Sequence, residues 1–199
     1  MRVGVIFHVG CATMRIWLCS ISFTTISLNL RSTTGAAVRH AVSSKEENNM
    51  GKITAILQAA QQRARELGLP YEGTLYPGEA YEITLAAPGA RLVDVRSRAE
   101  LDWVGRMANS INIEWATYPG MKRNPNFITQ LEQQVDKEAL VLFICRSGSR
   151  SHHAAAAATQ AGYSDCYNVL EGFEGELDTS KRRNSTGGWR AAGLPWEQS

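Results

Sequence analysis

Beyond Met50 the apolar positions switch repeatedly between helical and strand-like spacing. Ile53, Ile56, Leu57, Ala60, Ala64 and Leu67 recur three or four residues apart, which predicts an amphipathic helix opening at Met50 and ended by Gly68 and Pro70. "GTLYPGEAYEITLAA" reads as a turn and then a short helix with Pro77 near its start. "ARLVDVR" is a short apolar strand from Arg91 to Val95, "SRAELDWVGRM" a helical turn or two, and "SINIEW" a second strand. "NPNFITQLEQQV" predicts a helix capped by Asn124, with Pro125 at its first position. "ALVLFIC" is the most apolar strand of the chain and belongs at the centre of a sheet. "SRSHHAAAAATQAG" is a helix closed by Gly162, and "CYNVL" a final strand. Strands separated by helices imply an α/β fold with parallel pairing and right-handed crossovers. Residues 174–188, "EGELDTSKRRNSTGG", read as a long polar surface loop.

Composition adds a boundary. The 199 residues suit one domain with an appendage, and an apolar fraction of 44% supplies a packed core. The net charge of +2 is unevenly spread. Residues 1–49 hold Arg2, Arg15, Arg31, Arg39 and Lys45 against Glu46 and Glu47 only, whereas residues 50–199 hold 16 basic and 17 acidic side chains. No basic patch calls for nucleic acid, and no apolar run reaches the ~18 residues of a membrane span. Three explanations of residues 1–49 stay open: an Arg- and Ser-rich transit peptide, a secretory signal whose apolar run "IWLCSISFTTISLNL" is interrupted by polar residues, or translation beginning at Met50. Each makes the segment a disordered or dispensable leader. Residues 50–72 then form an N-terminal helix and linker, and 73–199 the main domain. The four cysteines, Cys11, Cys19, Cys145 and Cys166, form neither a C-x-x-C pair nor a zinc-spaced cluster. That points to a reducing compartment: the cytoplasm, or an organelle if the leader is a transit peptide.

The chemistry concentrates at "CRSGSRS", residues 145–151. Cys145 ends the most apolar strand, at the carboxyl edge where α/β sheets bind ligands. The loop after it can curl its backbone N–H groups inward, Gly148 permits the tight turn, and the helix starting near Ser149 adds its positive end. Arg146 and Arg150 add full charges. Each effect favours a thiolate at Cys145 and would hold an anionic substrate.

These residues resemble the active-site loop of the rhodanese family of thiosulfate sulfurtransferases. The resemblance spans about residues 73–197. "LVDVRSRAEL" is similar to the family's D-V-R-x-x-x-E strand and turn, "SINIEW" to its A-I-N-I-P strand, and "YNVLEGFEG" and "WRAAGLPW" to its closing strand and tail. The resemblance implies a single α/β domain whose central parallel sheet of about five strands is flanked by helices. It implies Cys145 as the nucleophile that accepts a sulfane sulfur. Arg146, Ser147, Gly148, Ser149 and Arg150 become the loop that binds the donor anion and the persulfide. The implied partners are a small anionic donor such as thiosulfate and a thiophilic acceptor, protein thiols included, with no metal, organic cofactor, nucleic acid or membrane. Two departures stand out. "GRMANSI" replaces the family's G-H-I-P-G-A, and "GFEGELDTSKRRNSTGGW" is longer than the usual link to the tryptophan.

Two rival functions share the loop. A cysteine phosphatase places five residues between its cysteine and arginine; here four separate Cys145 from Arg150, and position 151 is Ser151. The smaller ring suits a sulfur atom better than a phosphoryl group. A non-catalytic rhodanese-like binding or sulfur-carrier module usually lacks the cysteine or the cationic loop, and this chain keeps both. Asp94 and Arg96 are expected to form a structural ion pair tying the strand end to the loop, with Glu100 as a partner. His152 and His153 sit in the first turns of a helix, where a role as general base would need convergence on Cys145. Cys166 reads as a small buried strand residue, and Trp115, Trp189 and Trp196 as packing residues, with Trp115 placed to line a pocket mouth.

Overall fold

The computed structural model describes residues 34–198. Most of the expected leader, including the apolar run from Ile16 to Leu30 and both Cys11 and Cys19, lies outside the described residues. Helix α1 (Thr34–Glu66) begins sixteen residues before Met50. The compositional break at Met50 therefore does not coincide with a structural one, since nothing between Gly35 and Gly51 interrupts a helix. Its C-terminal half buries Ala60 and Ala64, while Ile53, Ile56 and Leu57 pack at the margin of the cluster that holds Ala60. Leu67, expected on that face, is exposed, because the chain turns at Gly68 (φ 62°) and Leu69 N–H donates to Ala64 O at 2.9 Å.

The first strand, β1 (Gly73–Leu75), was legible only as a turn. Three residues are too few for alternation, and all three are buried because α1 covers this edge. Helix α2 (Pro77–Ala86) starts on proline as expected, and the Glu79 carboxylate accepts from Tyr76 N–H at 2.8 Å. Strand β2 (Arg91–Asp94) leads to α3 (Arg98–Val104), whose start is a capping box between Ser97 and Glu100. Then come β3 (Ile111–Asn112) and an antiparallel ribbon of β4 (Ala116–Thr117) and β5 (Lys122–Arg123). Helix α4 (Phe127–Glu132) begins later than its sequence signals suggest. Asn126 holds the cap position, and Asn124 instead accepts from Asn126 N–H at 2.9 Å in a local turn while donating to Glu114 O. Strand β6 (Leu140–Ile144), α5 (Ser149–Gln160) and β7 (Asp165–Val169) complete the chain of elements, with Gly162 (φ 92°) closing α5.

The five main strands form one parallel sheet in the order β1-β7-β6-β2-β3, so the most apolar strand is central. Helices cover both faces, which makes an α/β domain of the expected class. Alternation along β6 divides the core. Val141, Phe143 and Cys145 face Ala154, Ala155 and Ala158 of α5 together with Phe127 and Leu131 of α4. Leu142 and Ile144 face Ala60, Ile83, Phe173 and Trp189 on the other side. Small alanines let α5 lie close to the sheet and set the height at which the segment after β6 must turn. No helix among the described residues is long and apolar enough to cross a membrane.

Candidate active site

The segment after β6 turns sharply at Gly148 (φ 93°) into α5, so Cys145 to Arg150 form a six-residue loop at the carboxyl edge of the central strand. The Cys145 side chain is almost fully enclosed, with 1% of the residue exposed. Its Sγ accepts from the Gly148 amide at 3.2 Å. The Ser151 hydroxyl lies 3.3 Å from Sγ and 3.1 Å from Gly148 O, so its one proton serves either acceptor. A sulfur held by an amide and a hydroxyl at the positive end of a helix is a site built for negative charge.

The loop is braced from behind. Cys145 O accepts from Phe173 N–H at 2.8 Å, and Arg146 O from Glu174 N–H at 2.9 Å. This contact needs Gly172 (φ 62°): a methyl group there would collide with Cys145 O and lie 2.7 Å from the Ser147 amide nitrogen. The loop's far end is tied to α3. Arg150 donates through both terminal nitrogens to Glu100 at 2.7 Å each. Burial alone would raise the Glu100 carboxyl, but the Arg150 guanidinium and the Ser97 donors overcome it and hold the carboxyl at about 2. For Arg150, burial works against the cation. Pairing with Glu100 and the nearby charges of Cys145 and Asp94 nonetheless keep it above its ordinary range.

A second ion pair lies deeper. Asp94 and Arg96 are both fully buried and joined at 2.6 Å, and Arg96 also donates to Gly105 O at 2.9 Å. The Arg96 guanidinium sits over the Phe173 ring, 4.0 Å from its centre, and so supports the residue whose amide holds Cys145 O. The expected Asp94–Arg96 pair is thus present, but Glu100 serves Arg150 rather than Arg96.

A family model described as "Rhodanese-like domain" matches residues 77–176. The chain belongs to the rhodanese-like domain family. An uncharacterized protein of Rickettsia conorii is 34% identical over 122 residues, covering 60% of this chain and 92% of that one. A chloroplastic thiosulfate sulfurtransferase 16 of Arabidopsis thaliana is 28% identical over 96 residues, 47% of this chain and 78% of its own. Among solved structures, Rv0390 from M. tuberculosis superposes with a TM-score of 0.60 at 43% identity, covering 65% of this chain and 99% of that one.

Within this rhodanese-like domain the residues singled out from sequence separate into two groups. Cys145 to Arg150 converge as one loop. Arg146 is exposed, Ser147 and Arg150 are half-buried, and Ser149 opens α5. The histidines stand apart from this arrangement. His152 Nδ1 is 2.8 Å from Tyr71 Oη, and burial followed by the neighbouring His153 lowers its pKa. His153 stacks on Trp115 at 6.5 Å, and Trp115 packs edge-on against Phe127 under the Arg123 guanidinium. Cys166 pairs in register with Val141, four residues before Cys145, so about 13 Å of strand separates the two thiols. Burial pushes the Cys166 thiol up to about 11. It is a packing residue.

Sequence reasoning missed three participants. Ser151 carried no signal beyond its place in the first turn of α5. Gly172 and Phe173 brace the loop from a segment more than twenty residues away, a contact no local pattern encodes. The polar loop after them is knotted around Asp178, whose carboxylate accepts from Ser180 N–H, Arg182 N–H and the Ser185 hydroxyl. No cluster of three or more His, Cys, Asp or Glu that could hold a metal occurs among the described residues.

Proposed function

We propose that this rhodanese-like domain is a sulfurtransferase that moves a sulfane sulfur from thiosulfate or a similar anion to a thiophilic acceptor through a persulfide on Cys145. The observation that carries the reading is the enclosed Cys145 Sγ, with the Gly148 amide at 3.2 Å and the Ser151 hydroxyl at 3.3 Å. The Cys145 thiolate attacks the outer sulfur of thiosulfate. A new S–S bond forms and the original one breaks, and its electron pair leaves with sulfite. The terminal persulfide sulfur carries the negative charge and takes over the loop's inward donors. Attack by the acceptor on that sulfur returns the thiolate in a ping-pong cycle. Arg146 attracts the donor anion electrostatically. Arg150, already engaged by Glu100, fixes the loop's shape. The sparse cysteines of the sequence, with no C-x-x-C pair, suit a reducing compartment, the cytoplasm in our reading.

Incubation with thiosulfate should add one sulfur atom to the intact protein by mass spectrometry, located on the peptide containing Cys145. Cys145→Ser should abolish thiocyanate formation from thiosulfate and cyanide, and Cys166→Ser should largely spare it. Equal loss in two folded variants would remove the single-nucleophile assignment. Faster hydrolysis of aryl phosphates than formation of thiocyanate by the unmodified protein would replace the reading with a phosphatase.

A further inference from the structure

Residues 195–198 cross the end of α3 as a strap. Glu197 and Arg106 exchange both backbone hydrogen bonds, at 2.8 and 2.9 Å, and their side chains pair at 3.0 Å. Pro195 O accepts from the Trp189 indole at 2.8 Å, and Gln198 donates to Trp103 O at 2.8 Å. Trp196 is thereby fixed from both sides, and its indole is pressed onto Gly105 (φ 103°), where a Cβ would stand 2.7 Å from the ring. Trp196 keeps 38% of its area exposed, so it is a cover rather than a core residue. What it covers is the environment of Arg96. Gly105 O accepts from Arg96 Nη2 at 2.9 Å, and the Arg96 guanidinium lies 4.0 Å from the centre of the Phe173 ring. Trp196 meets that same Phe173 ring edge to face at 6.2 Å, and the Arg190 guanidinium lies 4.1 Å from the indole. Arg96 Nη1 is buried with no hydrogen-bond partner among the described residues. A buried cation with an unpaired N–H gains by reaching water, so its place depends on what stands in the way.

We infer that Trp196 is a positioning residue for Cys145: it holds Phe173 and Gly105 against Arg96 and so fixes the Phe173 amide that binds Cys145 O. The inference rests on the sulfurtransferase reading and adds a residue to the same site. Trp196 acts through Phe173, whose amide reaches Cys145 O at 2.8 Å, and takes no part in the reaction itself. Without the indole, the Phe173 ring loses its edge contact and water gains access to Arg96 Nη1. The guanidinium and the ring then separate, and the Phe173 amide is no longer held in one place. Cys145 O follows, and with it the angle at which Sγ meets the donor's outer sulfur. Arg146 attracts the donor anion from the exposed side of the loop, so the effect falls on the chemical step rather than on donor binding.

The test compares the full chain with its Trp196→Ala and Trp196→Phe variants by two readouts. In thiocyanate formation from thiosulfate and cyanide, Trp196→Ala should lower kcat by about tenfold and leave KM for thiosulfate within about twofold. Trp196→Phe keeps an aromatic edge against Phe173 and should restore most of kcat. In hydrogen–deuterium exchange, the Phe173 amide should exchange about tenfold faster in Trp196→Ala and near the unmodified rate in Trp196→Phe. If the alanine variant does not fold, Trp196→Leu replaces it in both readouts, because leucine keeps an apolar cover but offers Phe173 no ring. An unchanged kcat, a loss confined to KM, or a phenylalanine variant as impaired as the alanine one overturns the inference. Unchanged exchange at Phe173 overturns it as well. The exchange readout needs no turnover. If the unmodified protein forms no thiocyanate, the sulfurtransferase reading fails alone, and exchange at Phe173 still decides whether Trp196 holds the brace behind Cys145.

Discussion

A single glycine sets where Cys145, the proposed nucleophile, stands. Gly172 lies directly behind the carbonyl of Cys145, in a left-handed conformation that lets Phe173 and Glu174 pair with the loop's backbone. Gly172→Ala adds both a clash and a strained φ. The loop must then move by a sizeable fraction of an ångström, and misplacement on that scale costs ~10² in rate. We expect thiocyanate formation to fall by about that factor while circular dichroism still reports the fold. Activity within a few-fold of the unmodified protein would show that the brace is dispensable. Ser151→Ala is milder, because the Gly148 amide remains on Sγ; about a tenfold loss is expected, measured in the same assay. The candidate nucleophile was legible from sequence because "CRSGSRS" concentrates charge, glycine and a helix start in seven residues. Its braces were not, because a glycine's role at Gly172 depends on which distant backbone approaches it.

At the scale of elements, the decisive joint is α3 to α5 through Glu100 and Arg150. The pair is shielded, with side-chain exposures of 20% and 15%, so solvent screening discounts it less than a surface ion pair. Glu100 has its carboxyl lowered from 4.5 to about 2 in the folded protein. The sign follows from linkage. A depressed carboxyl contributes stability that is fully present above its ordinary value and is lost as pH falls from about 4.5 toward 2. Glu100→Gln should therefore cost ~1–3 kcal/mol at neutral pH, and the difference from the unmodified protein should shrink across that acid window in denaturant titrations. A difference independent of pH would mean that the carboxylate's charge is not what holds the loop. The capping box that places Glu100 was visible as "SRAE", and the Asp94–Arg96 pair was expected, but the exchange of partners was not. Sequence spacing says which charges lie near a strand end; it does not say which cation a carboxylate meets across two elements. Element boundaries failed for similar reasons. The short strand β1 is defined by its partner β7 and by the helix above it rather than by its own three residues.

For the whole molecule, the question is where the folding unit ends. The family match covers residues 77–176, yet buried positions continue on both sides of it. Trp189 is 2% exposed and bonds to Pro195 O, and residues 50–72, expected as a helix and linker, contribute the buried Ala60, Ala64 and Tyr71. Ala60 of α1 shares a core cluster with Leu75 of β1, Ala64 is buried, and Tyr71 is buried and bonded to His152 of α5. Without these residues the β1 edge, the Tyr167 ring and one flank of α5 would face water. A chain starting at Met50 keeps every one of these contacts; a chain starting at Gly73 keeps none. We expect the first to fold and form thiocyanate at a rate within about twofold of the full chain, since it retains α1 from Met50 onward. The second loses the buried Ala60, Ala64 and Tyr71 and the half-buried Ile53, Ile56, Leu57 and Leu69; at ~0.8 kcal/mol per buried CH₂ this is several kcal/mol, comparable with the low end of a typical domain's margin, and it should aggregate or melt well below the first. Thermal unfolding of the two truncated chains, read alongside activity, decides the matter. If the chain beginning at Gly73 is as stable as the one beginning at Met50, α1 is an accessory to the sheet and not part of the domain that positions Cys145.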